Sequence, residues 1–199
     1  MNKDIFEVSD YITREKREKL HKHLGCLVWI TGFSASGKSS IAKNLEKKLY
    51  AKSCISYALD GDNVRRALCK DLGFSKKDRA ENIRRIGEAG KLFVNAGIIV
   101  IAAFISPYKE DRKKVSVLVG KDRFIEVFAD CPLEVCIKRD PKGIYKRAIA
   151  GKVKDFTGID AVYEKPHNPT IHIKTDSVSI DKAGSVIFKY LTDNGYINF

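Results

Sequence analysis

Short apolar runs rich in β-branched residues recur along the chain, and helix-like patterns fill the gaps between them. The runs are CLVWIT at 26–31, CISYAL at 54–59, GIIVIAAFI at 97–105, RFIEVFA at 123–129 and TIHIKT at 170–175. Between the first two, Ile41, Leu45 and Leu49 repeat every four residues, as one face of a helix requires. Ile83, Ile86, Gly90 and Phe93 mark a face of a longer helix, and Ile180, Ala183, Ile187, Tyr190 and Leu191 mark the last one, with Ser179 as its cap. Pro107 and Pro132 each suit the first turn of a helix. Strands alternating with helices predict an α/β fold with a five-stranded parallel sheet between two helical layers. Ligands of such a sheet bind at the carboxyl ends of its strands.

Residues 1–24 stand apart from this alternation. They are mixed in charge and poor in apolar positions, with one helix expected around Thr13–His23. They read as an N-terminal extension, and 25–199 as one domain. No repeat, low-complexity tract or Pro/Gly-rich linker divides it. Apolar residues make up 44% of the 199 and charged residues 31%, ordinary for a globular protein with a core of its own. No apolar run approaches the ~20 residues of a membrane helix. MNKDIFEVSDY lacks the apolar core of a secretory signal. The five cysteines, Cys26, Cys54, Cys69, Cys131 and Cys136, are odd in number and match no disulfide or metal spacing. A reducing, cytoplasmic setting is the expectation.

The strongest motif follows the first strand. Gly32-Phe33-Ser34-Ala35-Ser36-Gly37-Lys38-Ser39 fits G-x-x-x-x-G-K-[S/T], with Ser40 next and a helical pattern beyond. The glycines let successive N–H groups curl around phosphate oxygens, and the helix start adds its positive dipole end. Lys38 is expected at the β- and γ-phosphates and the Ser39 hydroxyl at Mg²⁺. No guanine-recognition N-K-x-D occurs in the expected place. The strand 98–101 runs on into Ala102-Ala103-Phe104 without a metal-binding acid. Asp60-Gly61-Asp62, at the end of the strand 54–59, is the obvious source of that acid and of a group to accept a hydroxyl proton. The alternative for this triplet is a turn with a helix cap at Asp62.

The net charge of +12 is concentrated rather than spread. Lys138, Arg139, Lys142, Lys146, Arg147, Lys152 and Lys154 face a single acid, Asp140, within 138–154, which is half of the total. With Gly143, Gly151 and Gly158 as flexing points, 138–160 reads as a mobile basic lid that excludes water when closed. A nucleic-acid-binding ATPase would show a continuous basic face and steep salt dependence instead. A nucleotide-binding regulatory domain without catalysis is disfavoured by the intact Lys38, Ser39 and Asp62. A kinase for a sugar acid or a nucleoside monophosphate is the nearest rival among P-loop kinases.

Further segments follow in order: Asp60–Arg65, Gly73-Phe74-Ser75, Asp78-Arg79-Ala80-Glu81-Asn82, Phe104-Ile105-Ser106-Pro107-Tyr108, Asp111-Arg112, Phe128–Cys136, Arg139–Lys146, Phe156-Thr157-Gly158-Ile159-Asp160 and Tyr163-Glu164. In this order and spacing, over about residues 24–192, the chain closely resembles adenylylsulfate kinases (APS kinases). The resemblance implies a P-loop nucleoside-kinase-like fold and transfer of phosphate from ATP to the 3′-hydroxyl of adenosine 5′-phosphosulfate (APS). It implies magnesium with the ATP, no nucleic-acid or membrane partner, and often a homodimer. Arg65, Arg79 and Asn82 would contact APS, as would Ile105, Lys142 and Lys154. Phe74 and Phe156 would sandwich its adenine, where stacking is worth ~1–3 kcal/mol per base. Arg139 would pack on the adenine of ATP. Asp60 and Asp62 would serve catalysis, and Asp62 would join Ser39 at the metal. Ser106 occupies the place of a serine described in the family as a phosphoryl carrier. A P-loop kinase needs only in-line positioning and charge stabilisation, so the physical expectation there is a strand-end hydroxyl bonded to substrate. Ser40 departs from the threonine more frequent at that position.

Overall fold

The computed structural model of the chain describes residues 12–198. In chain order its elements are α1 (Arg14–His21), β1 (Cys26–Thr31), α2 (Lys38–Tyr50), β2 (Ser56–Asp60), α3 (Gly61–Arg66), α4 (Lys76–Asn95), β3 (Ile99–Ala103), α5 (Lys109–Val119), β4 (Phe124–Asp130), α6 (Leu133–Arg139), α7 (Ile144–Ile149), β5 (Ile171–Lys174) and α8 (Ile180–Asp193). The five strands form one parallel sheet in the order β2-β3-β1-β4-β5. The five predicted strands are all present, the first with the bounds expected and the other four shifted or trimmed by one or two residues at their ends.

The central strand explains why the runs are apolar without alternation. Every residue of β1 is buried, because a parallel sheet is covered on both faces. Cys26, Val28 and Ile30 point into the layer of α2 and α8, with Ile41, Leu45, Ile187 and Leu191. Leu27 and Trp29 point into the layer of α4 and α5, with Ile83, Ile86 and Val115. Gly90 of α4 lets that helix approach the strand, since a Cβ there would stand 3.2 Å from a Leu27 methyl group. Cutting Ile30 back to alanine in such packing costs about 2–5 kcal/mol.

Capping follows the sequence at α8, where the Ser179 hydroxyl accepts the Lys182 N–H at 3.2 Å. Pro132 and Tyr108 are themselves the caps of α6 and α5, so α6 begins one residue after its proline and α5 two residues after Pro107. The short α3 and α7 were not anticipated. Six residues hold too little of a 3.6-residue period to be read from sequence.

The expected N-terminal extension falls partly on residues 1–11, which lie outside the described residues. The part that follows is joined to the sheet by polar contacts. The Glu18 carboxylate accepts the Gly25 N–H at 2.9 Å and pairs with Arg123 at 3.2 Å. His21 Nδ1 lies 3.0 Å from the Gly97 carbonyl, and His23 Nε2 accepts the Ile55 N–H at 2.9 Å. All five cysteines are buried free thiols. No described helix is long and apolar enough to cross a membrane.

Candidate active site

At the carboxyl end of β1 the chain turns sharply at Gly32, with φ at 151°. A side chain there would strike the Ala129 carbonyl oxygen at 2.5 Å, so only glycine fits. Gly37, at φ 93°, caps α2 with no side chain, leaving the first N–H groups of the helix open toward the loop. Ala35 holds a left-handed φ of 59°, a strained conformation for a residue with a Cβ. Its methyl group packs with Phe33 against the buried cluster of Cys131, Cys136, Tyr145, Ala148 and Phe156. The loop between 32 and 39 is thus braced from outside by the lid.

Lys38 is nearly buried, and its ammonium group donates to the Phe33 carbonyl at 2.5 Å. Burial pulls its pKa down to about 8, against the opposing pull of Cys136 and Asp60. A lysine so placed gains from any anion that enters the loop. The Ser36 hydroxyl is buried with no hydrogen-bond partner. Ser40, on the next turn, is exposed.

The acids stand beside this loop. Ser39 Oγ donates to Asp60 Oδ2 at 2.5 Å, which brings α2 and the end of β2 together. Asp60 Oδ1 accepts the Asp62 N–H at 3.1 Å, so Asp60 is the N-cap of α3. The cap that the alternative reading placed at Asp62 is instead formed by Asp60, two residues earlier. Asp62 is exposed and forms an ion pair with Lys142 of the lid. Ser39 meets Asp60 directly, while Asp62 is tied to the lid.

The residues expected on the acceptor side occupy the same end of the sheet. Arg65 donates to the Gly73 carbonyl at 3.0 Å, and its guanidinium lies 4.6 Å from the centre of the exposed Phe74 ring. Arg79 is buried and spans to the lid. It donates to the Phe74 carbonyl at 2.8 Å, to Thr157 Oγ1 at 2.9 Å and to the Asp155 carbonyl. Asn82 is buried with its Nδ2 unpartnered. Phe156 is buried, with its backbone N–H held by the Asp160 carboxylate and its ring edge-to-face on Tyr145. Ile105 donates no side-chain polarity, but its carbonyl accepts the Thr31 hydroxyl at 2.7 Å. Lys154 is exposed on the lid. Arg139 donates to the Thr175 carbonyl at 2.8 Å, beside the loop that leads into α8.

Ser106 sits at a left-handed φ of 40° and is almost fully buried. Its hydroxyl accepts the Trp29 indole N–H at 3.0 Å and donates to Thr31 Oγ1 at 3.0 Å, so it is spent on the framework. Behind it lies a network that sequence reasoning did not assign. Arg112 pairs with Glu126 at 2.7 Å, donates to the Ser106 carbonyl at 2.7 Å and to the Glu164 carbonyl at 2.8 Å. One buried guanidinium thereby fixes the β3–α5 turn, β4 and the segment after the lid. The dipeptides Asp111-Arg112 and Tyr163-Glu164 were visible in sequence, but nothing local says that they meet.

The family profile described as "Adenylylsulphate kinase" matches residues 24–174. An adenylyl-sulfate kinase of Thermodesulfovibrio yellowstonii is 56% identical over 192 residues, covering 96% of each chain. One of Clostridium kluyveri is 55% identical over 181 residues, covering 91% of this chain and 90% of that protein. Among solved structures, the Mycobacterium tuberculosis APS kinase in complex with AMPPNP and APS superposes with a TM-score of 0.81 at 44% identity. That match covers 85% of this chain and 99% of the other. A sugar kinase from Janibacter, at 15% identity and a TM-score of 0.60, shares the fold.

Proposed function

The chain belongs to the adenylylsulphate kinase family, and on that premise we propose how its own residues carry the reaction. It is a kinase that transfers the γ-phosphoryl group of ATP to the 3′-hydroxyl of APS, giving ADP and 3′-phosphoadenosine 5′-phosphosulfate. The observation that carries this reading is the opening of the loop 32–39, the Asp60–Asp62 acids and the 65–82 arginines onto one end of the sheet.

In the transfer, the 3′-oxygen bonds to the γ-phosphorus as the bond to the β–γ bridging oxygen breaks, and the hydroxyl proton leaves. Lys38 and the loop N–H groups take up the charge that grows on the transferring group and on ADP. Asp62 receives or orients the 3′-hydroxyl proton, and its ion pair with Lys142 brings the lid over that proton. Arg65 and Arg79 offer forked donors to the phosphosulfate. Phe74 and Phe156 hold the adenine of APS, and the open Nδ2 of Asn82 is a donor for it. Ile105 and Lys154 border the same space, and Arg139 packs on the adenine of ATP. Ser106 acts through the turn that it shapes.

A nucleotide-associated metal belongs to such a kinase, and magnesium is our assignment. The hard oxygens of Ser39 and Asp60, held 2.5 Å apart, suit it, with Asp62 nearby. When bound, it neutralises the β- and γ-phosphates. We also assign the catalytic domain to 25–199, the residues before it to an extension docked through Glu18, His21 and His23, the setting to the cytoplasm, and the assembly to a homodimer. The exposed Tyr57 on the edge strand β2, stacked on Phe93, and the exposed Ile55 just before that strand support the last.

ADP release measured with APS, AMP and sugar acids as acceptors tests the reaction. A response to APS alone is expected. Silence with APS, or an equal response to AMP or a sugar acid, overturns it.

A further inference from the structure

Tyr145 touches both halves of the site. Its ring is fully buried under the lid helix α7. Its hydroxyl donates to the Ser34 carbonyl at 3.1 Å, at the apex of the phosphate loop. Its ring meets the Phe156 ring edge-to-face, with centres 5.0 Å apart and planes at 86°. We propose that Tyr145 is the positioning residue that couples the nucleotide site to the acceptor site. The proposal rests on the reading above, in which the loop holds ATP and Phe156 borders APS.

The physical case begins with the loop. A loop whose N–H groups turn inward to an anion must turn carbonyls outward. Here the Ser34 carbonyl, part-buried beside an apolar cluster, is taken up by the tyrosine hydroxyl. Removing the hydroxyl takes away the bond that holds this carbonyl outward, so the inward-facing form of the loop depends on where Tyr145 stands. The same apex also carries a bond to the phosphate-binding lysine. Lys38 donates to the Phe33 carbonyl, one residue from Ser34, and a phosphate in the loop competes for that ammonium group. That exchange reorients the peptides at the apex, to which Tyr145 is tied.

The other end of the relay is equally fixed. Phe156 packs on the Tyr145 ring, its backbone is clamped by Asp160, and its neighbours Asp155 and Thr157 are bonded to Arg79. A shift of the Tyr145 ring therefore moves Phe156 and loads Arg79, because packed side chains have few alternative arrangements. Occupation of one site biases the shape of the other, and by linkage the effect is reciprocal.

The test is a double titration. ADP has no γ-phosphoryl group to transfer to APS, so the dissociation constant of APS is measured by calorimetry with and without saturating ADP. The wild-type ratio is expected in the range of ~5- to 150-fold. Tyr145→Phe keeps the ring against Phe156 and removes only the hydroxyl. Its ratio is expected to fall to within about twofold of one, while APS affinity without ADP stays close to wild type and the melting temperature falls by only a few degrees, from the lost Ser34 bond. Tyr145→Leu, which removes the ring as well, should show the same loss of coupling together with weaker APS binding. A ratio in Tyr145→Phe equal to that of the wild type, or a wild-type ratio of one, overturns the coupling alone. Absence of APS binding to the wild type overturns both the coupling and the reading of the reaction.

Discussion

The hydroxyl of Ser39 donates to the carboxylate of Asp60 across 2.5 Å, joining the first turn of α2 to the end of β2. The two residues are 21 apart in sequence, one in the helix that follows β1 and the other at the end of β2, and β3 lies between those two strands in the sheet. The bond sets two oxygens beside the loop that holds phosphates. Ser39→Ala and Asp60→Asn should each lower kcat/KM by about 10²–10³-fold. Their melting temperatures should stay near wild type, because the bond is exposed. Isothermal titration with ADP, with and without magnesium, checks the cause. The gain in ADP affinity from the metal should shrink in both variants.

Asp62 reaches the lid through Lys142 rather than the loop through Ser39. Asp62→Asn should lower kcat by 10²-fold or more with little change in the KM for ATP, as expected for a group acting on the transferred proton. Lys142→Met should raise the KM for APS more than it lowers kcat. Steady-state kinetics with both substrates varied separates the two. Near-normal turnover in Asp62→Asn removes Asp62 from the chemistry.

Lys38 titrates at about 8 in the folded chain, against 10.5 for an ordinary lysine. Between these values the unfolded chain binds the extra proton, so stability without nucleotide should rise as pH increases from 8 toward 10.5. ADP needs the charged form, so its affinity should fall over the same interval. Melting curves and ADP titrations across pH 7–10 should therefore move in opposite directions. Lys38→Met should abolish both trends.

His23 accepts the Ile55 N–H through Nε2, which requires a neutral ring, and burial lowers its pKa below the usual 6.5. The unfolded chain then takes up the proton first as pH falls. Stability is fully present above pH 6.5 and is lost as the pH drops below it toward the folded-state pKa. Denaturant unfolding from pH 8 to 5 should show this decline. His23→Leu should lose about 1–3 kcal/mol at pH 8, from the orphaned Ile55 N–H, and flatten the decline.

How much of this was legible follows from the range of each signal. The five strands and the phosphate loop are local patterns, and Gly32 to Ser39 state their geometry within eight residues. The Asp60-Gly61-Asp62 acids were legible as a pair, but not the division between them. That Asp60 turns to Ser39 and Asp62 to Lys142 depends on how α2, α3 and the lid pack. Arg112 illustrates the limit. Its partners Glu126, Ser106 and Glu164 lie up to 52 residues away, and no periodicity links them. Tyr145 lies within the basic segment 138–160, and only the fold shows that its hydroxyl ends at Ser34.

The burial of all five thiols makes the wild-type chain chemically silent toward surface maleimides. Ellman's reagent should count none of them under native conditions and five in guanidinium. One cysteine introduced at an exposed site such as Lys154 becomes the sole attachment point for a fluorophore. The molecule is therefore its own blank for spectroscopic tracking of the lid, with no native thiol to remove first.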